Sequence, residues 1–309
     1  MTAIVITGPT AVGKSELGMA LAVQLGGEII SVDSRQLYRC MDIGTAKPSR
    51  RDMHRVRHHF IDVADPPDSY SAGRFGREAR EVIGSLEQRG IQPILVGGSG
   101  LYLSAVVDGL FAREADPEIH QQLQQKLATD GLPSLRDDLL KLDPIAHSAL
   151  APNDAQRLLR ALELALSAQA TPQSAAMHDQ ASRPLTPAPA IFALAMARTE
   201  LYRRVDERLE VMLRRGWLDE VRKLLARGYD PTCPGLSSLG YWELCQHLTG
   251  DLALADAVER AKRRSRHYAK RQLTWFRKDR RLRWLDLGRI GGVRGALQRI
   301  LAQVDPEGP

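Results

Sequence analysis

Cysteine is scarce in this 309-residue chain. The three present, Cys40, Cys233 and Cys245, are an odd number with no C-x-x-C spacing. That pattern excludes a disulfide framework and a cysteine zinc site, and it suits a reducing compartment. Long apolar runs are missing too. The longest, Ala190-Ile191-Phe192-Ala193-Leu194-Ala195-Met196-Ala197, falls far short of the roughly 18 residues that read as a membrane-crossing helix. Met1 leads straight into a short apolar run, so the expectation is no signal peptide, a cytoplasmic location and no membrane partner. Nor is there a large excess of either charge: 43 Lys and Arg against 37 Asp and Glu leave +6. So small a balance does not by itself argue for nucleic acid. The length suffices for a substantial core, as one large domain or as a core with an insertion.

What is present is a phosphate-cradling loop. Gly8-Pro9-Thr10-Ala11-Val12-Gly13-Lys14-Ser15 matches G-x-x-x-x-G-K-[ST], a pattern that chance supplies in about one chain in a hundred of this length. Its context is the required one. Ala3-Ile4-Val5-Ile6-Thr7 before it reads as a buried strand, and Glu16 to Ala22 after it as a helix start. Glycines let the backbone wrap an anion. Loop amides and the helix N-terminus then point at phosphate oxygens. Lys14 adds a mobile charge, and Ser15 offers a hydroxyl to Mg2+.

Further strands alternate with helices. Glu28 to Asp33 is a second apolar run with Asp33 at its carboxyl end, the edge at which open parallel sheets bind ligands. Asp33-Ser34-Arg35-Gln36 can serve there as a helix N-cap, as a catalytic cluster, or as both. Gly44 and Pro48 mark a loop. His58 and His59 suggest a metal pair, but neighbours on a strand face opposite ways and no further ligands stand at suitable spacing. Ser71 to Gln88 has helical periodicity, and Gln92 to Gly97 is another strand ending in Gly98-Ser99-Gly100. From about Asp116 the texture becomes helical (Leu135, Leu139, Leu140, Leu142; then Leu158, Leu159, Leu162, Leu164, Leu166). Asn153 or Asp154 would cap a helix there on which Arg157 and Arg160 share a face, a solvated one or a binding one. Thr171 to Pro189, rich in Ala, Ser, Gln and Pro, predicts a mobile loop. Strand texture returns at 190–196, followed by one long amphipathic helical region over Leu201–Leu225. The fold expected is α/β: a P-loop NTPase-like core with a parallel β-sheet flanked by helices (1–115 and 190–309) and an all-helical insertion domain (116–189).

Charge concentrates near the C-terminus. Between Lys262 and Arg283 stand eleven Lys and Arg against one acid, Asp279, with His267, Tyr268, Trp275 and Phe276 among them. Basic residues interleaved with stacking platforms suit a nucleic-acid backbone. A solvated face is the plainer reading. A membrane-surface helix is disfavoured because the charges fall on all sides.

Together these stretches resemble the tRNA dimethylallyltransferase (bacterial tRNA isopentenyltransferase) family, over nearly the whole chain. The matching segments are Gly8–Ser15, Asp33–Gln36, Met41–Pro48, Tyr70–Ala72, Leu95–Leu101, Asn153–Arg160, Gly240–Tyr241 and Ala269–Arg277. The resemblance implies transfer of a dimethylallyl group from dimethylallyl diphosphate to the exocyclic amine of the adenine 3′ to the anticodon. The expected participants are Mg2+, tRNA and a monomeric enzyme. It implies that Gly8, Pro9, Thr10, Ala11, Val12, Gly13, Lys14 and Ser15 hold the diphosphate, with Ser15 on the metal. Asp33 would be the base, aided by Arg208 and Thr10, which stabilise the leaving group. tRNA contact is implied for Asp33, Ser34, Arg35, Gln36, Ser99, His120, Gln156, Arg157, Leu158, Leu159, Arg160, Gly240, Tyr241, Lys270, Arg271, Gln272, Thr274, Trp275 and Arg277. Ser99 stands where the family usually has Thr, and His120 where it has Arg. Two other classes share some of these features: a P-loop small-molecule kinase using ATP, with Asp33 as base toward a hydroxyl, and a non-catalytic RNA-binding protein.

Overall fold

The computed structural model describes residues 2–109, 116–170 and 183–304. Six strands form one sheet: β1 (Ile4–Thr7), β2 (Gly27–Val32), β3 (His58–His59), β4 (Gln92–Gly97), β5 (Ala190–Ala195) and β6 (Arg283–Asp286). All pairings are parallel, in the order β3-β2-β4-β1-β5-β6. Ile4 stands beside Ile94 on one side and Ala190 on the other. The strands are apolar almost throughout because both faces are covered, as parallel sheets require. Residue parity sorts the side chains. Val5, Ile30, Leu95, Ile191 and Ala193 join one core cluster, and Ile4, Ile6, Ile29, Ile94, Val96, Phe192 and Leu194 the other.

On the second face pack α1 (Lys14–Leu25), through Leu17 and Leu21, and the C-terminal α12 (Gly292–Val304), through Ala296 and Ile300. The first face receives α3 (Ala72–Gln88), after the short α2 (Arg50–Arg55). It also receives α4 (Gly100–Val107), α8 (Arg198–Arg214), α9 (Trp217–Ala226) and α10 (Tyr241–Leu248). The sequence explains the local choices. Ser71 Oγ accepts from the Arg74 N–H at 3.1 Å and starts α3, which buries Phe75, Ala79, Ile83 and Leu86. Gly90, at φ +68°, follows its end.

Three expectations change. The single helical region over Leu201–Leu225 is two helices, because Gly216 at φ +92° breaks it. The basic stretch Lys262–Arg283 is not one helix: α11 (Leu254–Phe276) ends within it, and its last residue opens β6. Nor do charges surround α11, since Ala257, Ala261, Ser265, Ala269, Gln272 and Phe276 form a buried stripe. Strand β6 and helix α12 are additions to the expected elements.

The chain divides into two compact units, Met1–Asp108 with Pro184–Pro309, and Gly109–Arg183. Leu185 belongs with the first: its N–H donates to Val107 O at 2.8 Å, and its side chain packs on that unit's core. The second unit contains α5 (Pro117–Leu142, broken at Gly131), α6 (Pro144–Ala149) and α7 (Ala155–Ala170). Leu135, Leu139, Leu158 and Leu162 form its core. Asp154 caps α7, accepting from the Arg157 N–H at 3.1 Å. Most of the loop expected over Thr171–Pro189, residues 171–182, lies outside the described residues. No helix among the described residues is long and apolar enough to cross a membrane.

Candidate active site

The loop 8–15 leaves the carboxyl end of β1 in the middle of the sheet. Thr7, the last residue of β1, donates from Oγ1 to Gly97 O at 2.9 Å and ties that end to β4. Gly8 then turns away at φ +133°, and a Cβ there would stand 2.6 Å from Leu194 O. Only glycine lets the chain pass so close to β5. Gly13, at φ +109°, begins α1 without a side-chain cap. The positive end of the helix dipole is thus added to the loop's own amides.

A cavity of about 570 Å³ opens against this loop, lined among others by Thr10, Lys14, Ser15, Asp33, Arg208 and Tyr268. Lys14 Nζ donates to Pro9 O at 2.7 Å. Burial draws its pKa down from 10.5 to about 7; the Arg208 guanidinium acts in the same direction, and Asp33 opposes it. Burial also lowers the pKa of Arg208, again opposed by Asp33. Two cations and one carboxylate therefore sit within electrostatic reach of one another in a partly desolvated space. Such an arrangement is costly for a fold and suited to a polyanion. Arg208 reaches it from α8, whose neighbouring residues Val205, Leu209 and Met212 are buried.

Asp33 follows the last residue of β2 and starts a turn, not a helix. Its Oδ1 accepts from the Arg35 N–H at 2.9 Å, so the N-cap reading is replaced by a local turn bond. Ser99 Oγ accepts from the Ser34 N–H at 3.1 Å, which joins this turn to the end of β4. Arg35 is exposed and donates to Pro234 O at 2.7 Å. Gln36 points inward: its Oε1 accepts from Ser31 Oγ at 3.0 Å, and its Nε2 donates to Ala46 O at 3.1 Å.

Gln272 is also turned inward. It is 6% exposed; its Oε1 accepts the Thr10 N–H at 2.8 Å, and its Nε2 donates to Gly98 O at 2.9 Å. Helix α11 thereby grips the phosphate loop and the end of β4 with one side chain. Its position was expected on the tRNA-contacting side. Tyr268, one turn earlier, was not among the expected site residues. It lines the cavity, and burial together with Asp33 pushes its pKa up to about 12, so it stays a neutral hydroxyl. The signal for Gln272 was the run of small and polar positions Ala261, Ser265 and Ala269 that leads to it at three- and four-residue steps, in a helix otherwise dominated by charge; Tyr268 lies outside that buried stripe.

The outer face of α11 carries Lys270, Arg271, Thr274 and Trp275, with Arg277 just past its end, all exposed. Arg271 lies 5.7 Å over the Tyr268 ring, and Trp275 covers Gly100 at the start of α4. Lys270 and Arg277 form no ion pair among the described residues, whereas Arg264 and Arg266 are paired with Glu243 and Asp206. Gly240 and Tyr241 are buried, and Tyr241 donates to Glu220 Oε1 at 2.6 Å. In the insertion unit, buried Glu163 accepts from Arg160 at 2.9 Å and lies 2.6 Å from His120 Nδ1. Gln156 and Arg157 are exposed there, while the Leu158 and Leu159 side chains lie in its core. His58 and His59 each meet a separate partner, Val56 O at 2.8 Å and Glu28 Oε2 at 2.7 Å.

Comparison with known proteins gives one consistent set of matches. The family model described as IPP transferase matches residues 36–279. A tRNA dimethylallyltransferase of Desulforudis audaxviator is 43% identical over 305 residues, covering 98% of each chain. One from Symbiobacterium thermophilum is 45% identical over 286 residues, 92% of this chain and 89% of its own. Among solved structures, the full-length tRNA isopentenylpyrophosphate transferase of Bacillus halodurans aligns with TM-score 0.70 and 37% identity, covering 99% of this chain and 97% of its own. A eukaryotic dimethylallyltransferase acting on tRNA aligns with TM-score 0.79 and 29% identity, covering 97% of this chain and 77% of its own.

Proposed function

The chain belongs to the IPP transferase family, and from that premise we propose that it is a tRNA dimethylallyltransferase. It moves the dimethylallyl group of dimethylallyl diphosphate onto the N6 amine of the adenine 3′ to the anticodon in tRNA. The observation that carries this reading is the meeting of Lys14, Arg208 and Asp33 in one cavity beneath the phosphate loop. Two cations there match a diphosphate, and a carboxylate stands beside them to take a proton.

The C1–O bond of the donor breaks as negative charge grows on the diphosphate. Lys14, Arg208, the Thr10 hydroxyl and the loop amides stabilise that charge by fixed placement. The adenine amine supplies its electron pair to C1, and Asp33 accepts the proton released as the new C–N bond forms. Adenine N6 is a weak nucleophile, so placing that base is a large part of the catalysis. The reacting base has to leave its stack to enter the cavity. The Ser15 hydroxyl and the carboxylates of Glu16 and Asp52 line the same cavity. These hard oxygens suit Mg2+, with Ser15 its first ligand, and the ion would supply further positive charge to the diphosphate.

For tRNA we propose the outer face of α11, through Lys270, Arg271, Thr274 and Trp275, with Arg277 just past its end, together with Arg35 and Ser34 in the turn after β2. In the insertion unit His120, Gln156, Arg157 and Arg160 would serve. Gln36, Gln272 and Tyr241 act behind this surface. A small-molecule kinase would not need the cationic, aromatic face of α11, and a purely RNA-binding protein would not need Lys14 and Arg208 held in a desolvated cavity.

The test is to incubate the protein with dimethylallyl diphosphate, Mg2+ and unmodified tRNA, then digest the RNA and weigh its nucleosides. A prenylated adenosine is expected. Its absence, with ATP-dependent phosphorylation of a small acceptor instead, would replace this reading with the kinase.

A further inference from the structure

The stretch Met41–Pro48 carries part of the family resemblance yet contains none of the residues given a role above. A single carboxylate fixes its first half. Glu220 lies in the first turn of α9. Its Oε2 accepts the backbone N–H of Asp42 and of Ile43, each at 2.8 Å, and its Oε1 accepts that of Gly44 at 3.2 Å. The buried Tyr241 hydroxyl donates to the same Oε1 at 2.6 Å. Burial first, and then Glu220 itself, holds that phenol protonated. Three consecutive amides around one anion form a nest, filled here by a side chain of the same protein.

The other end of the loop is also held. Gln36 Nε2 donates to Thr45 O and Ala46 O, and Lys47 Nζ donates to Tyr38 O at 2.6 Å and to Asp42 Oδ1 at 2.7 Å. There is no slack between. A Cβ on Gly44 would stand 1.9 Å from Trp217 Nε1 and 2.6 Å from the Tyr241 ring.

The loop so held is a wall of the reaction site. Gly44 and Thr45 line a cavity of about 310 Å³ together with Thr10, Asp33 and Arg208. Ala46, Lys47 and Pro48 line a neighbouring one with Lys14, Ser15 and Arg208. We propose that Glu220 is a positioning residue for the transfer: as the internal anion of the 42–44 nest, it sets the wall that faces Asp33 and Arg208. It touches no substrate and acts through the loop. The inference rests on the prenyl-transfer reading above.

The nest can be emptied and refilled from outside, because Glu220, Asp42 and Ile43 also line a surface groove of about 420 Å³. Glu220→Ala removes the anion and leaves four donors, the three amides and the Tyr241 hydroxyl, facing a space that a small carboxylate can enter. The expected loss in kcat/KM is about tenfold or more, since bonds to a charged acceptor are the strong ones. Formate should return most of it, while leaving the wild type and Glu220→Gln unchanged. Affinity for Mg2+ and inorganic diphosphate, measured in parallel, should follow the same pattern.

Activity of Glu220→Ala within twofold of wild type would overturn the proposal. So would a loss that formate does not repair, which would leave Glu220 as a stabilising contact only. Should the wild type form no prenylated adenosine, the functional reading fails by itself. The nest is then judged on diphosphate affinity alone: formate-repaired weakening supports it, and an unchanged affinity overturns it.

Discussion

Lys14 allows a quantitative test of how the cavity handles charge. In the free protein, burial and the Arg208 guanidinium bring its pKa from 10.5 to about 7. At pH 8 a group of that pKa is protonated in roughly one molecule in eleven. A bound diphosphate returns the pKa toward its ordinary value, and Lys14 then regains its proton. Binding at pH 8 should therefore take up about 0.9 proton at this residue, and at pH 6 only about 0.1. The same shift makes diphosphate affinity fall with rising pH above 7, by up to about tenfold per unit from this group. It has a counterpart in stability. The unfolded chain keeps this proton up to about 10.5, so between 7 and 10.5 it binds more protons than the free folded protein. Lys14 thus makes the free protein gain stability as pH rises through that window, and saturating diphosphate should cancel the gain. The assay is calorimetric titration of Mg2+–diphosphate in Tris and in Hepes at pH 8. The dependence of the observed heat on buffer ionisation heat counts the protons. Diphosphate has its own titration, so the reference is Lys14→Arg, whose guanidinium stays charged throughout. Equal proton uptake by wild type and Lys14→Arg would refute the argument.

The remaining predictions separate chemistry, binding and scaffold. Asp33→Ala should reduce turnover by about 100-fold or more while tRNA affinity stays within a few-fold, as for loss of a general base; near-normal single-turnover rates would remove Asp33 from the proton transfer. Arg208→Ala should lower kcat more than it raises KM, because the charge that it meets grows in the transition state; an effect confined to tRNA affinity would move Arg208 to the RNA face. Replacing Lys270 and Arg271 together by Ala should weaken tRNA binding and reduce the slope of log K against log salt by roughly 1 to 2; an unchanged slope would leave those two as solvated charges. Gln272→Ala leaves the Thr10 N–H and Gly98 O without their side-chain partners, at about 1–3 kcal/mol for each buried group. A lowered Tm and weaker diphosphate affinity are expected, with the salt slope of tRNA binding unmoved; a changed slope with unchanged Tm would put Gln272 on the RNA surface after all.

Much of the core was legible because its signals are local. A β-branched run, a glycine loop with Lys and Ser at its end, and a helix start occupy neighbouring positions, and each restricts the backbone in the same sense. The carboxyl-edge rule also puts Asp33 near that loop, since a parallel sheet delivers successive strand ends to one side. Strand β6 was hidden because two of its four residues, Arg283 and Asp286, are charged. An edge strand with one neighbour can carry them, and in sequence Arg283 merges with the basic run before it. The break at Gly216 was hidden for the opposite reason: apolar periodicity continues on both sides of a glycine that redirects the chain.

Gln272 and Glu220 show what local signals do not reach. In sequence, Gln272 is a polar residue among cations, and Glu220 is one half of an acidic pair in a helix's first turn, where carboxylates are common for dipole reasons alone. Their partners are backbone groups 262 residues away for the Thr10 contact and 178 for Asp42. Backbone groups have no side-chain identity, so no pattern of residue types announces such a bond. The periodicity of α11 offers the one available clue: Ala261, Ser265, Ala269 and Gln272 trace a narrow face that must be buried if the helix packs closely. A glutamine on a face otherwise made of small residues has to find both a donor and an acceptor there. The loop amide and the strand-end carbonyl supply them at the place where the proposed chemistry needs the backbone held. The helix that presents cations outward is, by the same periodicity, the helix that fixes the phosphate loop from within, so substitutions on its two faces should separate tRNA affinity from diphosphate affinity.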